Sequence, residues 1–200
     1  MSRIFLLRHA HSNANAKGIL AGRLPNISLS ENGLKQREDL MSRVSGAKFD
    51  QIISSPLERC IETIKPFASD PYLADEFQEV DYGNWTGRRM SSLSRNKQWR
   101  DIHKHPASVR FPSGETLPEV QTRALLGLDR VLQNKAKNIL ISTHADVVKV
   151  IILHALGTHL NNIDKVSVDN ASFSIVEKNG NDYRVIRVND NTSNISGLLK

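Results

Sequence analysis

The chain has 200 residues, 39% of them hydrophobic and 24% charged, an ordinary composition for a globular protein. This length suits one domain with a sizeable core, so we expect residues 1–200 to form a single domain. The net charge is +6, but the basic residues are scattered and only 6% of residues are aromatic, which argues against a nucleic-acid binder.

Nothing in the sequence predicts a membrane span or a disulfide-bonded, exported protein. The longest apolar stretch, 147–156, is interrupted by Lys149 and His154. The apolar run 4–7 is too short for the core of a signal peptide. Cys60 is the only cysteine, so it has no partner for an internal disulfide. We therefore expect a cytoplasmic protein that does not bind membranes.

In chain order, short apolar strands alternate with helical patterns. We predict strands at residues 3–7, 50–55, 73–77, 138–143, 171–178 and 182–188, of which the last two form a hairpin. The spacing of apolar residues predicts helices at 30–44, 117–134 and 146–156. This alternation favours an α/β fold, a three-layer sandwich whose mostly parallel central sheet carries helices on both faces.

Three stretches carry further local signals. Leu34, Leu40, Met41 and Val44 share one loose apolar face of the first predicted helix. Thr116 and Glu119 are spaced as the capping box that begins the second helix. Residues 84–113 are irregular and contain two tryptophans and several basic residues, so we expect them to form a cap segment over a site.

Polar residues follow each of the three strongest strands. Arg8 and His9 follow the first, the sequence SSPLERC at 54–60 follows the second, and His144 follows the strand at 138–143. In open α/β sheets, ligands bind beyond the carboxyl ends of the strands. We therefore expect these clusters to converge at one edge of the sheet, although they lie far apart in the sequence.

The segment SSPLERC also predicts the start of a helix. Ser55 suits the N-cap, Pro56 suits the first helical position, and Glu58 completes a capping box. Arg59 then lies in the first turn, where free N–H groups and a guanidinium favour an anion. A capping box without any ligand is the alternative interpretation of this segment alone.

The histidine pairs and the single cysteine also suggest metal sites and other catalytic motifs, which the surrounding residues disfavour. The pairs His9/His11 and His103/His105 have a spacing that suits metal ligands, but Arg8 would place a positive charge against a metal ion. Read alone, His9 and His11 could also be a surface or core pair. The sequence has no P-loop, no cysteine-phosphatase loop around Cys60, and no Gly-x-Ser-x-Gly motif.

Six motifs, in order, resemble the phosphoglycerate mutase-like branch of the histidine phosphatase superfamily. The first is LLRHAHSNAN at 6–15, and the similarity spans nearly the whole chain. The others are ISSPLERCIET (53–63), FQEVDYGNWTG (77–87), PSGET (112–116) with Arg123, ISTHADVVKV (141–150) and NASFSIVE (170–177), with LSENGLKQ (29–36) as a helix start. The resemblance implies a phosphoglycerate mutase-like fold.

The resemblance also implies catalytic roles. His9 would be the nucleophile that accepts the phosphoryl group, and Arg8, Arg59 and His144 would line the phosphate pocket. Glu79 would donate a proton to the leaving oxygen and later activate water, which requires a raised pKa. A phosphorylated imidazole is a hydrolysable intermediate, so this chemistry needs no metal.

Four further residues would contact the substrate if the resemblance holds. Asn15 would contact the phosphate or the substrate, Ala21 and Gly22 would line the substrate mouth, and the backbone N–H of Ala145 would reach the phosphate. The sequence departs from the family pattern at Ala10, at His11 and at Ala145-Asp146, where the family often has two glycines. A carboxylate at Asp146 would repel phosphate unless it caps the helix.

We therefore predict a phosphatase that hydrolyses small phosphorylated metabolites through a phosphohistidine, without cofactor or metal, because arginine and histidine supply the positive charge. A cofactor-dependent phosphoglycerate mutase is the alternative, although mutases of this family tend to be longer. A non-catalytic phosphate-binding or interaction module is the second alternative, but none of the catalytic residues is lost. The sequence leaves a homodimer open.

Overall fold

The structure is a computed structural model that describes residues 1–199. Its strands are β1 (Ser2–Arg8), β2 (Gln51–Ser54), β3 (Tyr72–Leu73), β4 (Asn138–Thr143), β5 (Phe173–Asn179) and β6 (Asp182–Asp190). Within these residues the strands form one six-stranded sheet of order β3-β2-β4-β1-β5-β6. The pairs β3–β2, β2–β4 and β4–β1 are parallel, and β1–β5 and β5–β6 are antiparallel.

The α-helices are α1 (Asn13–Ala16), α2 (Glu31–Arg43), α3 (Glu58–Ile64), α4 (Met90–Leu93), α5 (Lys97–Lys104), α6 (Leu117–Leu132) and α7 (Ala145–Ala155). Short 3₁₀ turns lie at Asp75–Phe77, Gly83–Trp85, Leu160–Lys165 and Ser196–Leu198. Helix α6 begins with the predicted capping box between Thr116 and Glu119. Among residues 1–199, none of the helices has the length and apolar character that crossing a bilayer requires.

The alternation of side chains along β1 explains the three layers. Ile4 and Leu6 point to one face and join a core cluster that includes residues of α6 and α7. Phe5 and Leu7 point to the other face and join a second cluster, which includes Leu40 of α2 and Ile64 of α3. Helices therefore cover both faces of a mostly parallel sheet, and the predicted fold class is confirmed.

Two sequence-based expectations about this core are wrong. The strand predicted at 73–77 shortens to β3, because the backbone turns into the 3₁₀ turn Asp75–Phe77 and buries Phe77 completely. On α2, Leu34 and Met41 remain 39% and 46% exposed, so the apolar face of the helix is narrower than the sequence spacing suggests.

The predicted start of α3 is also wrong. The helix begins at Glu58, and its N-cap residue, Leu57, makes no side-chain hydrogen bond. The backbone of Ser55 instead extends the β2–β4 ladder by donating to the carbonyl of Ser142 at 2.9 Å. The Glu58 carboxylate accepts a hydrogen bond from the backbone of Asn26 at 2.9 Å. The capping box does not form, because the Ser55 hydroxyl pairs with His144 and the Glu58 carboxylate pairs with Asn26.

The segment 84–113 contains α4, α5 and the connections between them. Within the segment, Trp85 contacts the rings of Trp99, at a centroid distance of 5.4 Å, and Phe111, at 5.9 Å. Phe111 in turn contacts the ring of Tyr82, outside the segment, at 4.9 Å. The backbone N–H of Leu20 donates to the carbonyl of Arg88 at 2.9 Å, which ties the segment to the loop after α1. Its function as a cap stays a prediction.

The same leucine-to-alanine change at two positions of α2 tests which side of this helix packs against the sheet. Leu40 is 0% exposed and Leu34 is 39% exposed on the same helix, so both changes to alanine alter helix propensity equally. We expect Leu40→Ala to lower the free energy of unfolding by about 2–5 kcal/mol, because it leaves a cavity. Leu34→Ala should change it by less than about 0.5 kcal/mol. Equal losses in urea unfolding would contradict this packing.

Candidate active site

The carboxyl ends of β1 and β4 lie beside a cavity of about 260 Å³. Eight of the nine residues expected at a site line this cavity, and they come from distant parts of the sequence: Arg8, His9, Asn15, Ala21, Gly22, Arg59, Glu79 and Ala145. The ninth, His144, is completely buried behind it, with its ring centroid 5.3 Å from that of His9. The predicted residues therefore come together in one place.

His9 is held as a neutral imidazole. Its Nδ1 lies 2.8 Å from the carbonyl oxygen of Ala10, and because a carbonyl only accepts, Nδ1 carries the proton. Burial, followed by the charges of Arg59 and Arg8, lowers the pKa of His9 well below its ordinary value. The lone pair therefore resides on Nε2, where a nucleophile needs it.

His144 is neutral for the same reasons but has the opposite tautomer. The Nη2 atom of Arg59 lies 3.2 Å from Nδ1 of His144, and a guanidinium only donates, so Nδ1 accepts. The Nε2 atom of His144 donates to the hydroxyl of Ser55 over 2.9 Å. Burial, the charge of Arg59 and the proximity of His9 lower the pKa of His144 well below its usual value. The expectation that both arginine and histidine supply positive charge is therefore wrong: both histidines are neutral, and the charge comes from Arg8 and Arg59.

The two arginines carry hydrogen-bond donors that no protein group accepts. Arg59 is 1% exposed and donates from Nη2 to the carbonyl of Gly22 at 2.8 Å. Arg8 donates from Nη1 to the carbonyl of Val168 at 2.6 Å. Within the described residues, the buried Nε of Arg8 and the Nε and Nη1 of Arg59 have no acceptor. Buried cations with free donors favour an anion beside them.

Glu79 places a largely buried carboxyl group, 13% exposed, at the edge of this cationic site. Burial, followed by the negative charge of Asp146, raises the pKa of Glu79 to about 7, against the opposing effect of Arg59. Its Oε2 lies 3.8 Å from Nδ1 of His144, and its Oε1 accepts from the backbone N–H of Val80 at 3.0 Å. At neutral pH the group is therefore able both to give and to take a proton.

Three charged side chains fix the backbone that carries Glu79. Arg23 donates from Nε to the carbonyl of Glu79 at 2.9 Å, and Arg123 donates from Nη2 to the same oxygen at 3.1 Å. Both arginines pair with Glu115 at 2.9 Å. Arg123 stands in a motif that the sequence analysis recognised, whereas no sequence signal marked Arg23.

Of the residues expected to contact the substrate, Asn15 and Ala145 supply hydrogen-bond donors to the wall of the cavity. The Oδ1 atom of Asn15 accepts from the backbone and hydroxyl of Ser12 at 3.0 and 2.9 Å, so its amide NH₂ remains available to donate. Ala145 is the first residue of α7, where helix geometry leaves the N–H groups without helical partners. Gly22 has a φ of +50°, and a Cβ there would lie 2.8 Å from Oγ1 of Thr86.

Asp146 has a partner that the sequence did not indicate. The hydroxyl of Tyr82 donates to its Oδ2 at 2.7 Å, and Nζ of Lys149 lies 3.7 Å from its Oδ1. The carboxylate lines the cavity beside Glu79. Of the other histidines, His11 lies 2.8 Å from the hydroxyl of Ser30. Across residues 1–199, no three His, Cys, Asp or Glu side chains are grouped so that they could hold a metal ion.

Comparison with known proteins finds phosphatases that are similar to this chain over most of its length. The chain is 28% identical over 196 residues to phosphoserine phosphatase 1 of Hydrogenobacter thermophilus, covering 94% of this chain and 92% of that protein. It is 25% identical over 186 residues to adenosylcobalamin/alpha-ribazole phosphatase of Escherichia coli, covering 88% and 90%. The crystal structure of Entamoeba histolytica phosphoserine phosphatase with 3-phosphoglyceric acid superposes with a TM-score of 0.85 at 25% identity, covering 95% of this chain and 98% of that one.

The family assignment rests on almost the full length of the chain. Residues 4–191 match the histidine phosphatase superfamily (branch 1). The match and the relatives named as phosphatases confirm the sequence-based prediction of a histidine-type phosphatase. The chain belongs to the histidine phosphatase superfamily, branch 1.

Proposed function

We propose that this protein hydrolyses phosphate monoesters of small molecules through a phosphohistidine intermediate on His9. The observation that carries the proposal is the combination of a neutral His9 with buried donors of Arg8 and Arg59 that have no protein acceptor. A phosphoryl group supplies acceptors for those donors and an electrophile for Nε2. Phosphoryl transfer depends mainly on such positioning and charge stabilisation.

In the first step, Nε2 of His9 attacks phosphorus, and the bond from phosphorus to the substrate oxygen breaks. The electron pair of that bond goes to the oxygen, which takes the proton of Glu79 and leaves as an alcohol. Arg8 and Arg59 donate hydrogen bonds to the phosphoryl oxygens, together with the backbone N–H of Ala145. Both ring nitrogens of His144 already pair with Arg59 and Ser55, so its part is to hold Arg59 in place. The pKa of Glu79, raised to about 7, supports its role as the acid.

In the second step, water attacks phosphorus and the P–N bond breaks, which returns the electron pair to Nε2 of His9. The Glu79 carboxylate takes the proton of the water, so the enzyme regains its starting state. Phosphoglycerate mutase chemistry would differ only in the acceptor, which would be a second oxygen of the substrate. Relatives named as phosphatases support water as the acceptor.

The proposal also covers the size of the substrate, the cellular location of the protein and its oligomeric state. A cavity of about 260 Å³ suits the phosphate of a small metabolite, and Asn15, Ala21 and Gly22 would contact the substrate at its mouth. The free, buried thiol of Cys60 supports a cytoplasmic location. A homodimer stays a prediction.

Inorganic phosphate should stabilise the protein more than chloride at equal ionic strength. At a concentration of 100 times Kd, phosphate contributes about 2.7 kcal/mol, which raises Tm by about 5–10 °C for a chain of this size. Arg59→Met should abolish the phosphate-dependent shift, because it removes the buried donors. Arg184→Met, at a side chain that is 72% exposed, should retain it. Equal shifts in both variants, measured by calorimetry, would contradict the phosphate site.

Replacement of the nucleophile should abolish turnover. We expect His9→Ala to lower kcat for p-nitrophenyl phosphate by at least about 10³-fold with EDTA present, since no other group can form the intermediate. His154→Ala, the same change at an exposed histidine of α7, should retain full activity. Acid-labile, alkali-stable phosphate on the native chain but not on His9→Ala identifies the intermediate. Full activity of His9→Ala would reject the assignment.

The pKa of Glu79 should appear in the pH profile. Because the acid must be protonated and its pKa is raised to about 7, kcat/KM for an alkyl phosphate should fall as pH rises through about 7. Glu79→Gln should remove this limb and lower the rate by about 10²–10⁴-fold.

The loss in Glu79→Gln should be smaller for p-nitrophenyl phosphate, whose leaving group needs less protonation. Glu38→Gln, at an exposed glutamate of α2, should leave both profiles unchanged. An unaltered alkaline limb in Glu79→Gln would assign the proton to another group.

A further inference from the structure

A second cavity of about 180 Å³ adjoins the catalytic cavity and has no part in the mechanism above. Leu20, Tyr82, Met90 and Asp146 line both cavities, so a group attached to a bound phosphate can extend from one into the other. The remaining wall of this side cavity is formed by Trp99, Ile102, His103, Pro106, Phe111, Leu117, Lys149, Ile163 and Asp164.

The wall of the side cavity is mainly apolar and is fixed by its own packing. Ile102, Phe111 and Leu117 are nearly completely buried. Phe111 contacts the ring of Tyr82 edge-on at a centroid distance of 4.9 Å, and Trp85 holds Trp99 at 5.4 Å. The cavity is therefore formed before any ligand binds. For scale, an engineered apolar cavity of about 150 Å³ binds benzene.

The charged groups of the side cavity are arranged against an anion at its entrance. The Asp146 carboxylate lies where the two cavities meet. Lys149 lies 3.7 Å from that carboxylate and pairs with it, but Lys149 lines the side cavity only, whereas Asp146 also lines the catalytic cavity. At the far rim, Nδ1 of His103 lies 2.9 Å from the Asp164 carboxylate. A carboxylate next to the phosphate ester would therefore face Asp146 and meet no free cation among these side chains.

We propose that the natural substrate is a phosphate monoester whose alcohol carries an apolar group of about one aromatic ring and no negative charge beside the ester. The ring binds in the side cavity, and Asp146 selects against anionic alcohols. This inference rests on the proposed function, whose substrate class it specifies. It also gives the Asp146 carboxylate a second role in the site, beside its electrostatic effect on Glu79.

Three alkyl phosphates test the inference, because their leaving oxygens are chemically similar. Benzyl phosphate carries a ring, glycerol phosphate a neutral polar group, and 3-phosphoglycerate a carboxylate. At one pH and ionic strength, we expect kcat/KM to be highest for benzyl phosphate and lowest for 3-phosphoglycerate. The two extremes should differ on the order of 100-fold, from the burial of a ring and the repulsion by a carboxylate.

Two variants assign this preference to its residues through ratios of kcat/KM. Asp146→Asn should raise the ratio of 3-phosphoglycerate to benzyl phosphate about 10-fold; any change in the pKa of Glu79 affects both substrates and cancels. Trp99→Ala should lower the ratio of benzyl phosphate to glycerol phosphate about 10-fold, whatever fraction of the sample is folded. Tyr72→Ala, at an exposed aromatic of β3, should leave both ratios unchanged.

The outcomes separate this inference from the proposed function. Hydrolysis of all three esters with 3-phosphoglycerate equal to or better than benzyl phosphate overturns the inference and leaves the phosphatase in place. Ratios that do not change in Asp146→Asn and Trp99→Ala overturn it as well. Failure to hydrolyse any of the esters, or p-nitrophenyl phosphate, overturns the proposed function and the inference together.

Discussion

The buried guanidinium of Arg59 is the constraint on which the rest of the site depends. Its Nη2 atom lies 3.2 Å from Nδ1 of His144 and thereby fixes the tautomer of that histidine. The same atom donates to the carbonyl of Gly22 and so holds the loop at the mouth of the cavity. The charge of Arg59, after burial, also lowers the pKa of both His9 and His144. Burying a cation without a carboxylate partner is costly. A phosphate bound as proposed would offset this cost, so the arginines direct binding energy to the phosphate, while the side cavity would bind the remainder of the ligand.

The sheet brings this arginine to the histidines, and separate charged pairs hold the acid. Strands β1 and β4 are parallel neighbours, so the residues that follow them, His9 and His144, lie side by side. The segment that carries Glu79 belongs to no strand, and Arg23 and Arg123 fix its backbone instead. The proposed nucleophile, His9, and the proposed acid, Glu79, are thus positioned by different parts of the fold. A change in the acid's supports can therefore alter proton transfer without moving the phosphate site.

Strand periodicity and strand ends are local signals with one common outcome in an α/β sheet, so they predicted the fold class and the convergence of Arg8, His9, Arg59 and His144. The other five site residues were expected only from the resemblance to the family: Asn15, Ala21, Gly22, Glu79 and Ala145. Sequence reasoning failed where tertiary contacts outweigh local preference. Ser55 is a good N-cap by type, but its hydroxyl pairs with His144, and a residue-by-residue scan has no access to that contact. Leu34 matches the helical period yet stays exposed, since no layer covers it. The partnership of Tyr82 with Asp146 and the side cavity depend on packing between distant segments, which spacing alone does not encode.

The position of β1 inside the sheet also has a consequence for how the protein is made. Strand β1 lies between β4 and β5, both of which are translated much later than β1. Until then, both edges of an apolar strand remain without backbone partners, and such edges invite association with other chains. The nascent polypeptide must therefore be kept from aggregating through most of its synthesis. The cavity beside β1 and β4 can form only after β4 has been translated and has paired with β1.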